Sequence, residues 1–383
     1  MLPLNAETTP HAPATRNAGI DLLRGIAILL VVLHHIALRI SLKKGVLAEF
    51  LPKWLLNAIM FNGYEAVMMF FVISGFLITT NTLARWGSVD RVVVRDFYVR
   101  RAARILPCLL ALIGVLSVLH LVGVHDYAIS RPGQSLSGAV TSALGLYLNW
   151  YEGQTGYLPA SWDVLWSLSI EELFYLAFPL VCLTLGRTRL LLPLLIVFAL
   201  SLPFTHAAIV GNDIWQEKAY LPGMAAIATG VAGALIAARF QSVGRGVITL
   251  LCATGTTGIA TILFAENMLW PVLGSGCILL LTLATICLVL AFHWQARIES
   301  PWSLRGTGWL RACGRWSYEI YLTHMFVILP VVQIFKSIGA NMRWGFLWYV
   351  PTVVLTCLVG WFVARFFSTP SDQAIRQRLL SHV

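Results

Sequence analysis

Ten apolar stretches divide the chain: 20–40, 64–83, 105–124, 164–185, 190–210, 221–238, 247–265, 270–292, 318–335 and 346–367. Each has roughly the 17–25 residues that an α-helix needs to cross the hydrocarbon layer of a bilayer. No internal repeat is visible, and no low-complexity linker divides the chain. No paired Gly/Pro-broken helices of the transporter type stand out. The pattern predicts an all-α integral membrane protein, with about ten transmembrane helices in one bundle. An eleventh apolar piece, 136–150, is shorter and carries Gly138 and Gly145. It reads as a re-entrant or surface segment.

Charge decides how that piece is counted. If it does not cross and the N-terminus is inside, 19 of the 27 Lys and Arg fall on the inner side. If it crossed, the inner side would lose 11 arginines, from Arg187 to Arg378. The tendency of basic residues to stay in cytoplasmic loops therefore favours ten spans with both termini cytoplasmic.

Composition adds an exclusion. The chain is 58% hydrophobic and 11% charged, whereas soluble domains carry about a quarter charged residues. An ordinary soluble enzyme, a disordered protein and a nucleic-acid module are all excluded. The net charge of +10 reads as topology and anionic ligands, with membrane lipids rather than nucleic acid as the surroundings. All seven cysteines except Cys313 lie in apolar runs and none forms a CxxC pair, so they read as small hydrophobes. The first residues, with Thr8, Thr9, Pro10 and Pro13, show no cleavage pattern of a signal peptide. The chain divides into a polar cytoplasmic N-terminal tail (1–19), a membrane domain (20–367) and a cytoplasmic C-terminal tail (368–383).

Ionisable groups inside apolar helices are costly, which makes each a functional candidate. The first span holds Asp21, Arg24, His34 and His35. Arg24 and His35 are eleven positions apart, so they share one helix face and are separated by roughly 16 Å. A fixed cation and a titratable base on one stripe suit an anionic ligand that reaches inward. The bland alternative has Arg24 snorkelling to phospholipid and His35 bonding a neighbouring helix. In the second span, Ser74 and Gly75 suit close helix packing, and nothing marks Ser74 as a nucleophile. The loop and helix entrance that follow hold Arg85, Arg91, Arg95, Arg100, Arg101 and Arg104, whose planar forks match phosphate oxygens. Anchoring by the positive-inside tendency would explain two or three of them. The fourth span carries Trp166 and the adjacent carboxylates Glu171 and Glu172. Adjacent helical positions point about 100° apart, so one carboxylate is expected at a site and the other at a neighbouring helix. A structural ion pair with an arginine is the alternative. The ninth span adds Tyr318, Glu319 and His324. No HExxH or Cys/His cluster suggests a metal.

Taken in order, these motifs resemble the acyltransferase-3 family of membrane O-acyltransferases, and the resemblance covers nearly the whole chain. It rests on Arg24 and His35, the Ser-Gly-Phe of residues 74–76, and Arg100, Arg101 and Arg104 ahead of Pro107. The Trp-Ser-Leu-x-x-Glu from Trp166 to Glu171 and the Ser-Tyr-x-x-Tyr-Leu-x-His from Ser317 to His324 complete it. Met68 and Thr323 depart from the residues common among relatives.

The resemblance implies a ten-helix bundle in the bacterial cytoplasmic (inner) membrane. It implies an acyl-CoA co-substrate, usually acetyl-CoA, and a glycan or lipid-linked sugar whose hydroxyl accepts the acyl group. It implies His35 as catalytic base, with Glu171 orienting the imidazole or holding sugar hydroxyls. Arg24, Arg100, Arg101 and Arg104 would bind the CoA portion, while Ser74, Trp166, Glu172, Tyr318 and His324 would bind substrate or support the site. No metal is implied. No additional extracytoplasmic SGNH-type hydrolase domain is expected after Phe367. Two other readings stay open: a lipid-linked-sugar transporter or flippase, and acylation of a small molecule such as a macrolide.

Overall fold

The structure is a computed structural model that describes residues 16–298 and 302–380. Thr8, Thr9, Pro10 and Pro13 of the polar N-terminal segment lie outside the described residues. Among the described residues there is no β-strand, and nine helical stretches are long and apolar enough to cross a membrane. The principal helices are α1 (Ala18–Ala37), α2 (Gly63–Trp86), α3 (Val94–Leu121), α4 (Trp166–Leu185), α5 (Leu191–Leu200), α6 (Tyr220–Arg239), α7 (Arg245–Leu273), α8 (Gly276–Gln295), α9 (Ser317–Ser337), α10 (Tyr349–Val363) and α11 (Thr369–Leu380).

The difference from ten spans lies in the fifth apolar run. Expected as one helix over 190–210, it forms α5 and a separate short helix, Leu202–Ala207, with a proline in its first turn. Pro203 has no N–H to donate and crowds the carbonyl one turn back, so the first helix ends before it. Ser201 covers part of the break by donating its hydroxyl to the Phe198 carbonyl, 2.7 Å away.

α1 begins where Asn17 caps it, accepting from the amides of Gly19 and Ile20. It lies at the centre of the bundle, packed against α2, α8, α9 and the helix Gly308–Arg315. Two pairs of glycine contacts set the closest helix approaches. A methyl at Gly25 would land on the Leu310 carbonyl, and one at Gly314 on that of Asp21. A methyl at Gly75 would land on the Ile227 carbonyl of α6, and one at Gly230 on that of Val72. Small residues let backbones meet in this way where lipid supplies no hydrophobic drive for association. The packing role of Gly75 anticipated from sequence is thus realised.

One end of the bundle carries Arg85, Arg91, Arg95, Arg100, Arg187 and Arg189; we call it the arginine end. The opposite end is reached at the start of α2, where Gly63 packs on His34. Segment 136–150 supplies two short helices there, Leu136–Leu144 and Leu148–Thr155. Nine residues in the first rise only about 13 Å, too little to cross a bilayer. Lys218, only 1% exposed, ties this layer together. Its ammonium lies 2.8 Å from Glu152 and also bonds Asp163.

The last span departs from a plain helix. α10 passes into a π-helical turn, Ala364–Ser368, and continues as α11. α11 lies along α3, and Arg95 donates to the Leu379 carbonyl at 3.1 Å.

Candidate active site

Two layers of polar side chains interrupt the apolar interior. The first lies toward the arginine end. Arg101 of α3 places Nη2 3.5 Å from Glu172 and 3.8 Å from Glu171. Adjacent positions on α4 diverge, yet one guanidinium nitrogen, Nη2, lies between the two carboxylates. Its plane also sits 3.7 Å from the Tyr175 ring, an attraction that strengthens where water is excluded. Tyr175 is one turn beyond Glu171 and donates to it at 2.5 Å, while the Ser74 hydroxyl of α2 bonds both residues. Ser74 is thereby engaged as a hydrogen-bonding partner of the layer.

One turn along α3, Arg104 makes a fork to Glu319 of α9 at 2.6 and 3.3 Å. Ser368 completes the group: its hydroxyl donates to Glu319 at 2.6 Å and accepts from Arg104 at 2.9 Å. The π-turn is what delivers Ser368 here. π-turns often occur at functional positions in helices. Tyr318 lies beside the Arg104 guanidinium and donates its hydroxyl to the Ile105 carbonyl at 2.9 Å. Arg24 of α1 donates to the Ser317 hydroxyl at 2.7 Å. No carboxylate among the described residues pairs with it.

The three arginines expected to act together are thus divided. Arg101 and Arg104, three apart on a helix, share a face and enter the bundle. Arg100 points about 100° away. Buried Nε atoms of both Arg100 and Arg101 have no hydrogen-bond partner.

The second layer is a histidine cluster nearer the opposite end. His35 and His324 stand edge to face, ring centroids 4.8 Å apart, and His34 flanks His35 at 5.3 Å. His35 Nδ1 lies 2.9 Å from the Val31 carbonyl, and His324 Nδ1 lies 2.6 Å from that of Tyr321. A carbonyl can only accept, so Nδ1 of each ring carries the proton and Nε2 keeps its lone pair. The Nε2 of His324 is buried and unpartnered. Arg39 donates to the His35 carbonyl at 2.9 Å and closes the end of α1.

Glu171 therefore belongs to the arginine layer with Ser74, Tyr175 and Arg101, and the carbonyl of Val31 is what orients the His35 ring. Trp166 forms a wall between the layers, stacked on Tyr64 at 6.4 Å and edge-on to Phe71 at 6.2 Å. Its neighbour Ser167 donates to Tyr321, which in turn donates to the Val164 carbonyl. Glu319 and Ser317 stand out in the sequence as an intramembrane carboxylate and a motif residue but without an assigned role, whereas Tyr175 and Ser368 do not stand out as site residues. Tyr175 was within reach of such reasoning, standing one turn from Glu171.

An all-α membrane bundle with buried basic and acidic side chains defines the class. The acyltransferase domain profile matches residues 17–365, and the chain belongs to the acyltransferase-3 family. Among characterised proteins it is similar to the O-acetyltransferase OatA of Staphylococcus aureus strain NCTC 8325 / PS 47. The two are 24% identical over 371 residues, which cover 92% of this chain and 56% of that protein. OatA of Staphylococcus aureus strain COL gives the same values. The chain thus spans about half the length of these curated relatives. No solved structure matches it.

Proposed function

We propose that the protein is a membrane O-acetyltransferase, moving an acetyl group from acyl-CoA at the arginine end to a carbohydrate hydroxyl at the histidine end. The observation that carries this reading is the division of labour along α1. Arg24 sits in one polar layer without a carboxylate partner, and His35 sits in the other, roughly 16 Å away, with Nε2 free. Positive-inside bias makes the arginine end cytoplasmic, where acyl-CoA is made.

The residues present suit the phosphates of CoA. Arg24 has no competing carboxylate, and Arg100 and Arg101 each hold an unsatisfied Nε–H. Arginine forks bind phosphate oxygens through charge-assisted hydrogen bonds. The nucleotide is too polar for the bundle's interior, whereas the pantetheine arm is long, thin and much less polar. Phosphates held at the mouth leave the thioester to reach the histidine layer.

At that layer His35 Nε2 removes the proton of the acceptor hydroxyl while the oxygen bonds to the thioester carbonyl carbon. The C–S bond then breaks, leaving the acyl group as an ester, and the departing thiolate takes the proton from the imidazolium. His324 contributes a neutral Nε2 lone pair close to the charge that develops on His35. Its own Nδ1–H is fixed on Tyr321. The acceptor is a glycan or lipid-linked sugar of the envelope, consistent with relatives named as O-acetyltransferases.

Sealed inside-out membrane vesicles test the scheme. Radiolabelled acetyl-CoA added to the exposed cytoplasmic face is expected to label glycan trapped in the lumen, with release of free CoA. Label appearing only when acceptor and acetyl-CoA share the outer compartment of the vesicles would overturn it.

A further inference from the structure

Beside the histidine layer, a cavity of about 400 Å³ opens near the start of α2. That volume is within the range of small-ligand sites. Its wall includes four carboxylates, Glu65, Asp213, Glu217 and Glu266, together with Tyr64 and Trp270. Among the described residues none of the four has a Lys, Arg or His partner in an ion pair. Glu217 accepts from the Tyr157 hydroxyl at 3.1 Å.

Glu65 makes the cavity more than an acidic surface. The residue is only 7% exposed, and its Oε2 is buried without a donor. Glu266, another acceptor, lines the same cavity, and the two carboxylates are close enough to influence each other. Two carboxylates cannot satisfy each other unless a proton or a cation lies between them. No group of three or more metal-type ligands occurs among the described residues, so the pair offers two carboxylates and not a metal-ligand set. Trp270, 42% exposed, supplies an apolar ring face of the kind that packs on sugars and cations. A second cavity of about 230 Å³ shares Glu266 and Asn267 with the first and is also lined by Lys43 and Asn57, whose buried Oδ1 is unpartnered.

The cavity adjoins the histidine cluster. Gly63, next to Tyr64 in sequence, packs on the His34 ring, and Tyr64 stacks on Trp166. We propose that this cavity binds a carbohydrate bearing a free, protonated amine, with the ammonium between Glu65 and Glu266 and a sugar face on Trp270. That this ligand is the acyl acceptor rests on the acyltransferase reading above. Holding the amine as ammonium removes its lone pair, so a neighbouring hydroxyl is left as the nucleophile and the product is an ester rather than an amide.

The test uses the full chain in lipid nanodiscs and measures binding without turnover. The probes are a fully deacetylated glucosamine tetramer and its N-acetylated counterpart, in near-neutral buffer where amines and carboxylates can both be ionised. The deacetylated tetramer is expected to bind about tenfold tighter or more, as charge-assisted hydrogen bonds allow. Glu65→Gln and Glu266→Gln should each abolish that preference. Glu266 is only partly buried, so its variant carries the test if Glu65→Gln fails to fold. Equal binding of the two tetramers, binding of neither, or a preference that survives both substitutions would overturn the proposal; a proton shared by the two carboxylates would then explain the pair. His35→Ala separates the two readings. It should lose acetyl transfer and keep the preference for the amine, whereas retained transfer would sink the catalytic scheme and leave the amine site standing.

Discussion

His35 and His324 approach to 4.8 Å between ring centroids from two different helices, and each fixes its Nδ1 proton on a carbonyl of its own helix. Neither ring donates to the other through Nδ1. Each ring therefore keeps its Nε2 lone pair, and that of His324 is buried without a partner.

Replacing His35 by Ala is accordingly expected to lower acetyl transfer by about 10²–10⁴-fold, the usual contribution of a positioned general base. His324→Gln should cost less, because the first proton acceptor remains. The check is CoA release and acceptor mass in purified variants whose size-exclusion profiles match the wild type. Activity of His35→Ala within a few-fold of wild type would remove it from the chemistry.

Arg100 and Arg104, a turn apart in sequence, should behave differently. Arg100→Ala is expected to raise the KM for acetyl-CoA with little change in kcat, an effect that shrinks at high salt. Arg104→Ala leaves Glu319, whose side chain is 1% exposed, without its cation. Breaking such a buried pair from one side costs about 3–5 kcal/mol. Thermal unfolding in detergent should show a clear loss of stability for Arg104→Ala and almost none for Arg100→Ala. Equal effects in both assays would contradict the separation seen along α3.

Lys218→Met should be similarly damaging, since it strands the carboxylates of Glu152 and Asp163 together. The double variant Lys218→Met, Glu152→Gln is expected to recover part of the loss by removing one stranded charge. Additive losses in the double variant would show that the three groups do not act as one unit.

Glycine contacts offer a test of packing alone. Gly75→Ala drives a methyl into the Ile227 carbonyl, whereas Gly114→Ala meets open space within 4 Å. The first should lower detergent stability by about 1–3 kcal/mol, the range for overpacking. The second should be neutral or slightly stabilising in a helix. A tolerated Gly75→Ala would mean that α2 and α6 can separate without penalty.

Much of this arrangement is legible in the residues. Apolar run length located nine of the membrane helices, and the interval between Arg24 and His35 put them on one face. The joint appearance of Glu171 and an arginine was foreseen as an ion pair, one of two readings. Other features depend on where distant segments meet. Periodicity within α3 separates Arg100 from Arg101, but only packing shows that α4 supplies the partners of Arg101. The break before Pro203 is local and visible as a proline signal, yet high hydrophobicity on both sides masked it. Glu65 and Glu266 are 201 positions apart, and nothing in either apolar run implies that they converge. Nothing in the sequence marks Lys218 as the centre of an ion-pair group, because its two carboxylates come from segments without a helical period in common.

The π-helical turn Ala364–Ser368 inserts the equivalent of one extra residue into a helix that otherwise runs through from α10 to α11. One residue is about 100° of rotation. The turn therefore acts as a fixed phase offset between the membrane part of the helix and its terminal part. It allows α10 to keep its small and hydroxyl-bearing face toward α9 while Ser368 faces Arg104 and α11 meets α3. A single-residue deletion anywhere in 364–368 would restore ideal geometry locally and put every later side chain out of phase. Improving the helix at this point would undo the contact it exists to make.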